Sequence, residues 1–189
     1  SHVAKVAKAM GMEVIAYDPF ISTERAQQMQ VRLTELAALF STADYITLHI
    51  PRTPDTENLV NAELLRTMKP TARLVNCARG GIIDESALAE AVESGVIAGA
   101  GLDVFASEPL AADSPLRAVE RGLVLTPHLG ASTEEAQENV AIDVAEQIRD
   151  VLLGLPARSA VNIPGLSAEI MERLKPHLQL AETLGLLVS

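Results

Sequence analysis

Two periodicities alternate along this chain. Val3, Val6, Ala7 and Met10 fall on one face at helical spacing, and Gly11 ends the run, although no capping residue opens it. EVIAYDPF (13–20) then reads as a strand closing on Asp18, and STERAQQM (22–29) as a short helix. The segment 34–43 predicts a second helix with Thr34 as its cap and Leu36, Leu39 and Phe40 inward. YITLHIP (45–51) is apolar nearly throughout, the pattern of a parallel strand buried on both faces. Asn61 caps the helix AELLRTM, and Lys69-Pro70 stops it before the strand ARLVNCA (72–78).

The alternation continues to the end. Asp84 caps a helix with Leu88 and Val92 on its apolar stripe and Gly95 as its stop, and AGAGLDVF (98–105) is the next strand. A loop (108–122) leads to the strand LVLTP (123–127). Ser132 to Glu135 forms a capping box for a long helix through Leu153, stopped by Gly154. Residues 155–165 read as an extended linker, and the remainder as helix with a break at Pro176. Strands separated by helices predict an α/β fold built on a doubly wound, Rossmann-like parallel sheet.

Composition narrows the function. With 48% apolar and 21% charged residues among 189, the chain can bury a substantial core. Its net charge of −10 leaves no basic stripe for a nucleic-acid backbone, so no nucleic-acid partner is expected. A small anionic substrate remains open, because one well-placed Arg holds a carboxylate. No apolar run reaches membrane length, and the single cysteine predicts a reducing, cytoplasmic setting.

Polar groups collect where strands end, the edge at which open α/β sheets bind ligands. Asp18 reads either as a turn residue before Pro19 or as the acid that accepts from a ribose and repels a 2′-phosphate. Arg79 precedes Gly80-Gly81, which let the backbone turn tightly and present a guanidinium to a carboxylate. Glu108 and His128 are each weak alone; together they match a carboxylate that orients an imidazole for proton exchange. Cys77, in an apolar run with no local base, reads as a packed thiol rather than a nucleophile. His2, His49, His128 and His177 are scattered, so no metal site is expected.

Three ordered motifs carry a family resemblance: Asn76-Cys-Ala-Arg79-Gly-Gly-Ile-Ile-Asp84, Gly101-Leu-Asp103-Val-Phe with Glu108-Pro109, and Pro127-His128-Leu-Gly-Ala-Ser-Thr133. They resemble the D-isomer-specific 2-hydroxyacid dehydrogenases, through about residue 155. The resemblance implies that Arg79 binds the substrate carboxylate and carbonyl, that Glu108 partners the histidine and that His128 is the acid/base. It also implies that NAD is the cofactor, with Asp18 on the adenosine ribose and Asp103 near the nicotinamide amide. Ile50-Pro51, Cys77-Ala78 and Gly130-Ala131 would line the cofactor, beside Arg79 and His128. The reaction implied is oxidation of a small anionic D-2-hydroxy acid, a phosphorylated one in first place because of the last motif and its continuation Glu134-Glu-Ala-Gln137. Unphosphorylated acids such as glyoxylate, hydroxypyruvate or D-lactate are the alternative, and a non-enzymatic NAD-sensing corepressor on the same fold is a second class. The partners expected are that substrate and further copies of the chain.

By the same resemblance, residues 1–155 are expected to be the NAD-binding domain, and 156–189 a linker and a helical segment returning to a substrate domain or opening a following one. Val161-Asn162 would mark that return. The glycine-rich phosphate loop and first strand of such a domain are not in the sequence and are expected upstream of Ser1. On that expectation, this chain alone binds NAD weakly and shows no turnover.

Overall fold

The apolar runs become strands and helices in the order that their spacing predicts. The computed structural model describes residues 2–155, 157, 159 and 168–188; Val161-Asn162 lies outside the described residues. The strands are β1 (Ile15–Ala16), β2 (Arg32–Leu33), β3 (Tyr45–Leu48), β4 (Arg73–Asn76), β5 (Gly99–Leu102) and β6 (Leu123–Leu125). The helices are α1 (His2–Ala9), α2 (Thr23–Gln28), α3 (Leu36–Thr42), α4 (Ala62–Arg66), α5 (Glu85–Glu93), α6 (Glu134–Leu152) and α7 (Ala168–Val188). The chain divides into two units, Ser1–Gly130 and Ala131–Ser189.

In the first unit, β3, β4, β5 and β6 pair in that order, all parallel, while β1 and β2 form a separate parallel pair. This is the Rossmann-like α/β arrangement. The register places Ile46, Leu74, Ala100 and Leu123 in one row across the larger sheet, and Leu48, Asn76, Leu102 and Leu125 in another. Those rows belong to the core, together with Phe40 of α3, Leu65 of α4, Leu88 and Val92 of α5, and Leu116 of a short 3-10 turn. Of the intervening positions, Tyr45, Thr47, Arg73 and Val124 are exposed, whereas Val75 and Gly101 are half-buried. So β3 alternates strictly between exposed and buried rather than being covered on both faces as its composition predicts. Tyr45 and Thr47 supply apolar surface on the second face without burying it.

Local caps explain the helix boundaries. Asp84 accepts from the Ser86 and Ala87 N–H groups, each at 3.0 Å, and Asn61 accepts from Leu64 N at 3.0 Å. Gly95 closes α5 in the left-handed region at φ 73°. Three boundaries differ from the sequence reading. The residue before α3 is Glu35, which makes no side-chain cap bond; Thr34 lies one position further out, where its N–H donates to Ala16 O and continues the β1–β2 ladder. That ladder recruits Arg32–Leu33, an element too short to show a period. In the second unit, Thr133 rather than Ser132 caps α6, accepting from Ala136 N at 3.1 Å. Helix α7 runs through Pro176 without breaking; the ring removes one amide donor, and the hydrogen bonds on either side carry the helix past it.

The two sheet faces should respond differently to truncation. Leu74→Ala, in the central row and fully buried, is expected to cost about 2–5 kcal/mol. Val124→Ala, at 67% exposure on the other face, is expected to stay within about 0.5 kcal/mol of the parent. Urea midpoints of the two variants check the pair.

Candidate functional site

Because all four strands of the larger sheet are parallel, their carboxyl ends lie along one edge, and four chain segments leave from it. After β3 come Ile50, half-buried against the core, and exposed Pro51. After β4 comes the turn Cys77-Ala78-Arg79-Gly80-Gly81, held from below by Asn76. That side chain is buried; it accepts from Ala78 N at 3.0 Å and donates to Arg79 O at 2.9 Å, so both ends of its amide are used on the turn. Arg79 is exposed, and its Nη1 donates to Ala78 O at 2.6 Å. A Cβ on Gly80 would overlap the Phe105 carbonyl, so only glycine lets this turn approach the segment leaving β5.

That segment is gripped from three sides. Besides the Gly80 contact, Ala106 N donates to Glu85 at 2.7 Å and Phe105 N donates to Glu108 Oε1 at 3.0 Å. The other oxygen of Glu108, Oε2, lies 2.6 Å from Nδ1 of His128. The Glu108–Pro109 peptide is cis. Hydrogen bonds from His128 and then from Phe105 N hold the Glu108 carboxyl below the ordinary glutamate value.

His128 itself sits at φ 55°, a left-handed conformation uncommon for a residue with a side chain. Its surroundings determine that geometry. Asp103, buried at the end of β5, accepts at Oδ1 from Thr126 Oγ1 (2.5 Å) and Leu129 N (2.8 Å), and at Oδ2 from Gly130 N (3.1 Å). Burial works to raise the pKa of this carboxyl, but those bonds and the nearby His128 outweigh it and lower the value. A cavity of about 550 Å³ opens beside the pair, lined by Phe105, Glu108, Leu110, Arg117, Leu125 and His128 among others. The Arg117 guanidinium is already committed to the Leu110 and Ala111 carbonyls, both at 2.9 Å.

The structure therefore joins Glu108 to His128, anchors the backbone on either side of His128 to Asp103, and packs the Arg79 turn against the segment that carries Glu108. Asp18 lies elsewhere, two residues beyond β1 in the smaller sheet; it is exposed and accepts from Phe20 N at 2.9 Å. Ala131 opens the second unit. Cys77 is exposed at the strand end rather than packed, since its alternation in β4 places it away from the core. Partial desolvation of the thiol by its neighbours and then the charge of Asp103 raise its pKa, which disfavours the thiolate a nucleophile needs. Asn76, Glu85 and Thr126 escaped the sequence reading. A polar residue in an apolar strand signals the first, and Thr126 adjoins Pro127-His128, but neither signal names a partner.

The residues fit a dinucleotide. Ala78 and the glycines leave room along the strand ends, Asp18 offers an exposed acceptor, and Oδ2 of Asp103 has one accepted bond and a further lone pair for an amide N–H. Among the described residues, no helix is long and apolar enough to cross a membrane.

A parallel α/β sheet with a carboxylate–imidazole pair at its carboxyl edge is the arrangement of a nicotinamide-dependent dehydrogenase domain. Residues 1–130 match the family model for the D-isomer specific 2-hydroxyacid dehydrogenase, NAD binding domain, and the chain belongs to that family. Similar relatives include D-3-phosphoglycerate dehydrogenase of Synechocystis sp., 69% identical over 188 residues, covering 100% of this chain and 34% of that protein. The enzyme of the same name in Bacillus subtilis is 47% identical over 190 residues, covering 100% and 36%. The chain thus spans about a third of the length of the curated relatives it matches. Among solved structures, the NAD-complexed D-isomer specific 2-hydroxyacid dehydrogenase of Lactobacillus delbrueckii ssp. bulgaricus superposes with a TM-score of 0.70 at 36% identity, over 85% of this chain and 51% of that one. D-lactate dehydrogenase with NAD+ from Lactobacillus jensenii gives 0.74 at 30% identity, over 86% and 52%. The cofactor of the family is NAD.

The pair has a signature in stability against pH. The folded-state pKa of Glu108 is depressed below its ordinary value of 4.5. Its contribution is therefore present above pH 4.5 and is lost as pH falls through the depressed folded value. The stability difference between the parent and Glu108→Gln should shrink and vanish as pH falls from 4.5 through the depressed folded value. Urea midpoints across that window check this; a difference that persists at its acid end contradicts it.

Proposed function

We propose that the protein of which this chain forms part oxidises D-3-phosphoglycerate to 3-phosphohydroxypyruvate with NAD, the step that opens serine biosynthesis. The observation that carries the reading is the 2.6 Å contact between Glu108 Oε2 and His128 Nδ1, at the strand edge of a chain 69% identical to a D-3-phosphoglycerate dehydrogenase. Relatives named D-lactate dehydrogenase are less similar, at 30% identity in the L. jensenii structure, which supports the phosphorylated substrate over the alternatives.

His128 serves as general base in this reading. With Nδ1–H donating to Glu108, the neutral ring carries its lone pair on Nε2, the atom that takes the proton of the substrate hydroxyl. Glu108 stabilises the imidazolium so formed and holds the ring in place. Arg79 clamps the substrate carboxylate and polarises the carbonyl as it forms. The chemistry supplied by NAD, when bound, is hydride acceptance from the carbon bearing that hydroxyl. Asp18 holds the adenosine ribose, Asp103 the nicotinamide amide, and Ile50-Pro51, Cys77-Ala78 and Gly130-Ala131 line the cofactor. Residues 1–155 serve as the cofactor domain, and 156–189 lead toward a substrate or following domain.

The setting is cytoplasmic, which the lone free thiol supports, and the protein assembles with further copies of itself. Support for assembly comes from Val140, Val144, Ile148 and Val151, an exposed apolar stripe on α6.

The decisive experiment is a steady-state assay of the full-length protein with D-3-phosphoglycerate and other D-2-hydroxy acids. NAD binding without turnover of any of them overturns the enzymatic reading in favour of a cofactor sensor. In the active protein, His128→Ala should lower kcat roughly 10²–10⁴-fold while leaving NAD affinity nearly unchanged. Asp18→Ala should narrow the preference for NAD over NADP, because it removes the charge that repels a 2′-phosphate; equal use of both by the parent would refute the ribose assignment.

A further inference from the structure

The segment between β3 and α4, Pro51 to Val60, lies along the turn that carries Arg79. Asn58 N donates to Gly81 O at 2.8 Å, Val60 N to Ile82 O at 3.1 Å, and Asp84 N returns to Val60 O at 3.0 Å. The strap has its own internal lock. Thr56 Oγ1 donates to Pro51 O at 2.7 Å and accepts from Thr53 N at 2.8 Å, and Glu57 N donates to Thr53 O at 2.9 Å. Asn58 turns through φ 50° to bring its amide onto Gly81.

Over this ladder sits Arg52. Its guanidinium pairs with Glu57. It also occupies the space beside Gly81, where an added Cβ would lie 2.8 Å from Cζ and 2.8 Å from Nε. Gly81 itself is at φ 78°, so a side chain there is strained by conformation and would also have to displace the guanidinium. Asn76 holds the Arg79 turn from below and Phe105 abuts Gly80; the strap supplies the remaining wall.

We infer that Arg52, locked by Glu57, is a positioning residue for Arg79: it holds Gly81 and so fixes the turn that presents the Arg79 guanidinium to the substrate carboxylate. The inference rests on the dehydrogenase reading above for what Arg79 holds. An ion pair as exposed as Arg52–Glu57 contributes little to global stability, so its effect is local. Loosening the clamp on the bound carboxylate, which acts in ground state and transition state alike, raises KM, and loosening the contact to the forming carbonyl lowers kcat as well.

The test uses the full-length protein. Arg52→Ala should raise KM for the hydroxy acid on the order of tenfold, with Kd for NAD and the Tm unchanged. Arg52→Lys keeps the charge but not the plane over Gly81 and should restore part of the loss. In an Arg79→Lys background, Arg52→Ala should add less than about twofold, because the two act through one contact. A tenfold effect that persists in that background means that Arg52 touches substrate directly, and overturns the positioning role. A second readout does not depend on activity. Exchange of the Asn58 and Val60 amides should speed up by about tenfold or more in Arg52→Ala, while α5 amides keep their protection. Unchanged exchange at those amides overturns the inference even in an active enzyme. Absence of turnover in the parent, with faster exchange in the variant, counts against the functional reading alone.

Discussion

Three hydrogen bonds to the carboxylate of Asp103 hold the segment after β6, and the position of His128 depends on them. Thr126 Oγ1, Leu129 N and Gly130 N converge on that one group from both sides of the histidine. A buried carboxylate without such partners would take up a proton, whereas this one is held ionised. The arrangement has a geometric result. Asp103 ends β5, and Glu108 follows five residues later, so one strand anchors both the backbone around His128 and the carboxylate that orients its ring. The left-handed backbone of His128 is sustained by this enclosure, since an isolated loop would relax it.

What the sequence makes legible follows from the range of each interaction. Asp84, Asn61 and Gly95 act within one helical turn, so their roles can be read from neighbouring letters. The alternation of strand and helix gives the parallel sheet for the same reason. Thr34 shows where local reading stops: its capping chemistry is intact, but its backbone amide pairs with Ala16, distant in sequence, and the helix starts one position further on. Cys77 misleads similarly, because its apolar neighbours predict packing while its place in the pleat exposes it. Pro176 signals a break from its ring alone, yet the flanking turns of α7 continue past it.

The candidate site divides along the same line. Arg79, Glu108 and His128 announce themselves by residue type at strand ends, and the family motifs add their order. Their supports do not. Asn76 and Glu85 act on backbone atoms, Thr126 on the carboxylate that anchors the His128 backbone, and Arg52 beside Gly81, at separations from two residues to more than twenty. A residue that serves another's main chain leaves no chemical signature in a single sequence, since many side chains of similar polarity occupy ordinary surface positions.

The order β3-β4-β5-β6 explains why so few supports suffice. Parallel neighbours stand roughly 4.8 Å apart, so the loops leaving them are close enough for backbone to meet backbone. Gly80 uses that proximity against Phe105, and Glu85 fastens the same loop through Ala106, so the turns of Arg79 and Glu108 are set against each other without an intervening side chain. A methyl group at Gly80 would drive these turns apart and displace Arg79 from Glu108 together with His128, although none of the three had changed. The polar groups of this edge are therefore positioned as a set by a backbone contact, while the apolar rows beneath hold the strands that make the contact possible.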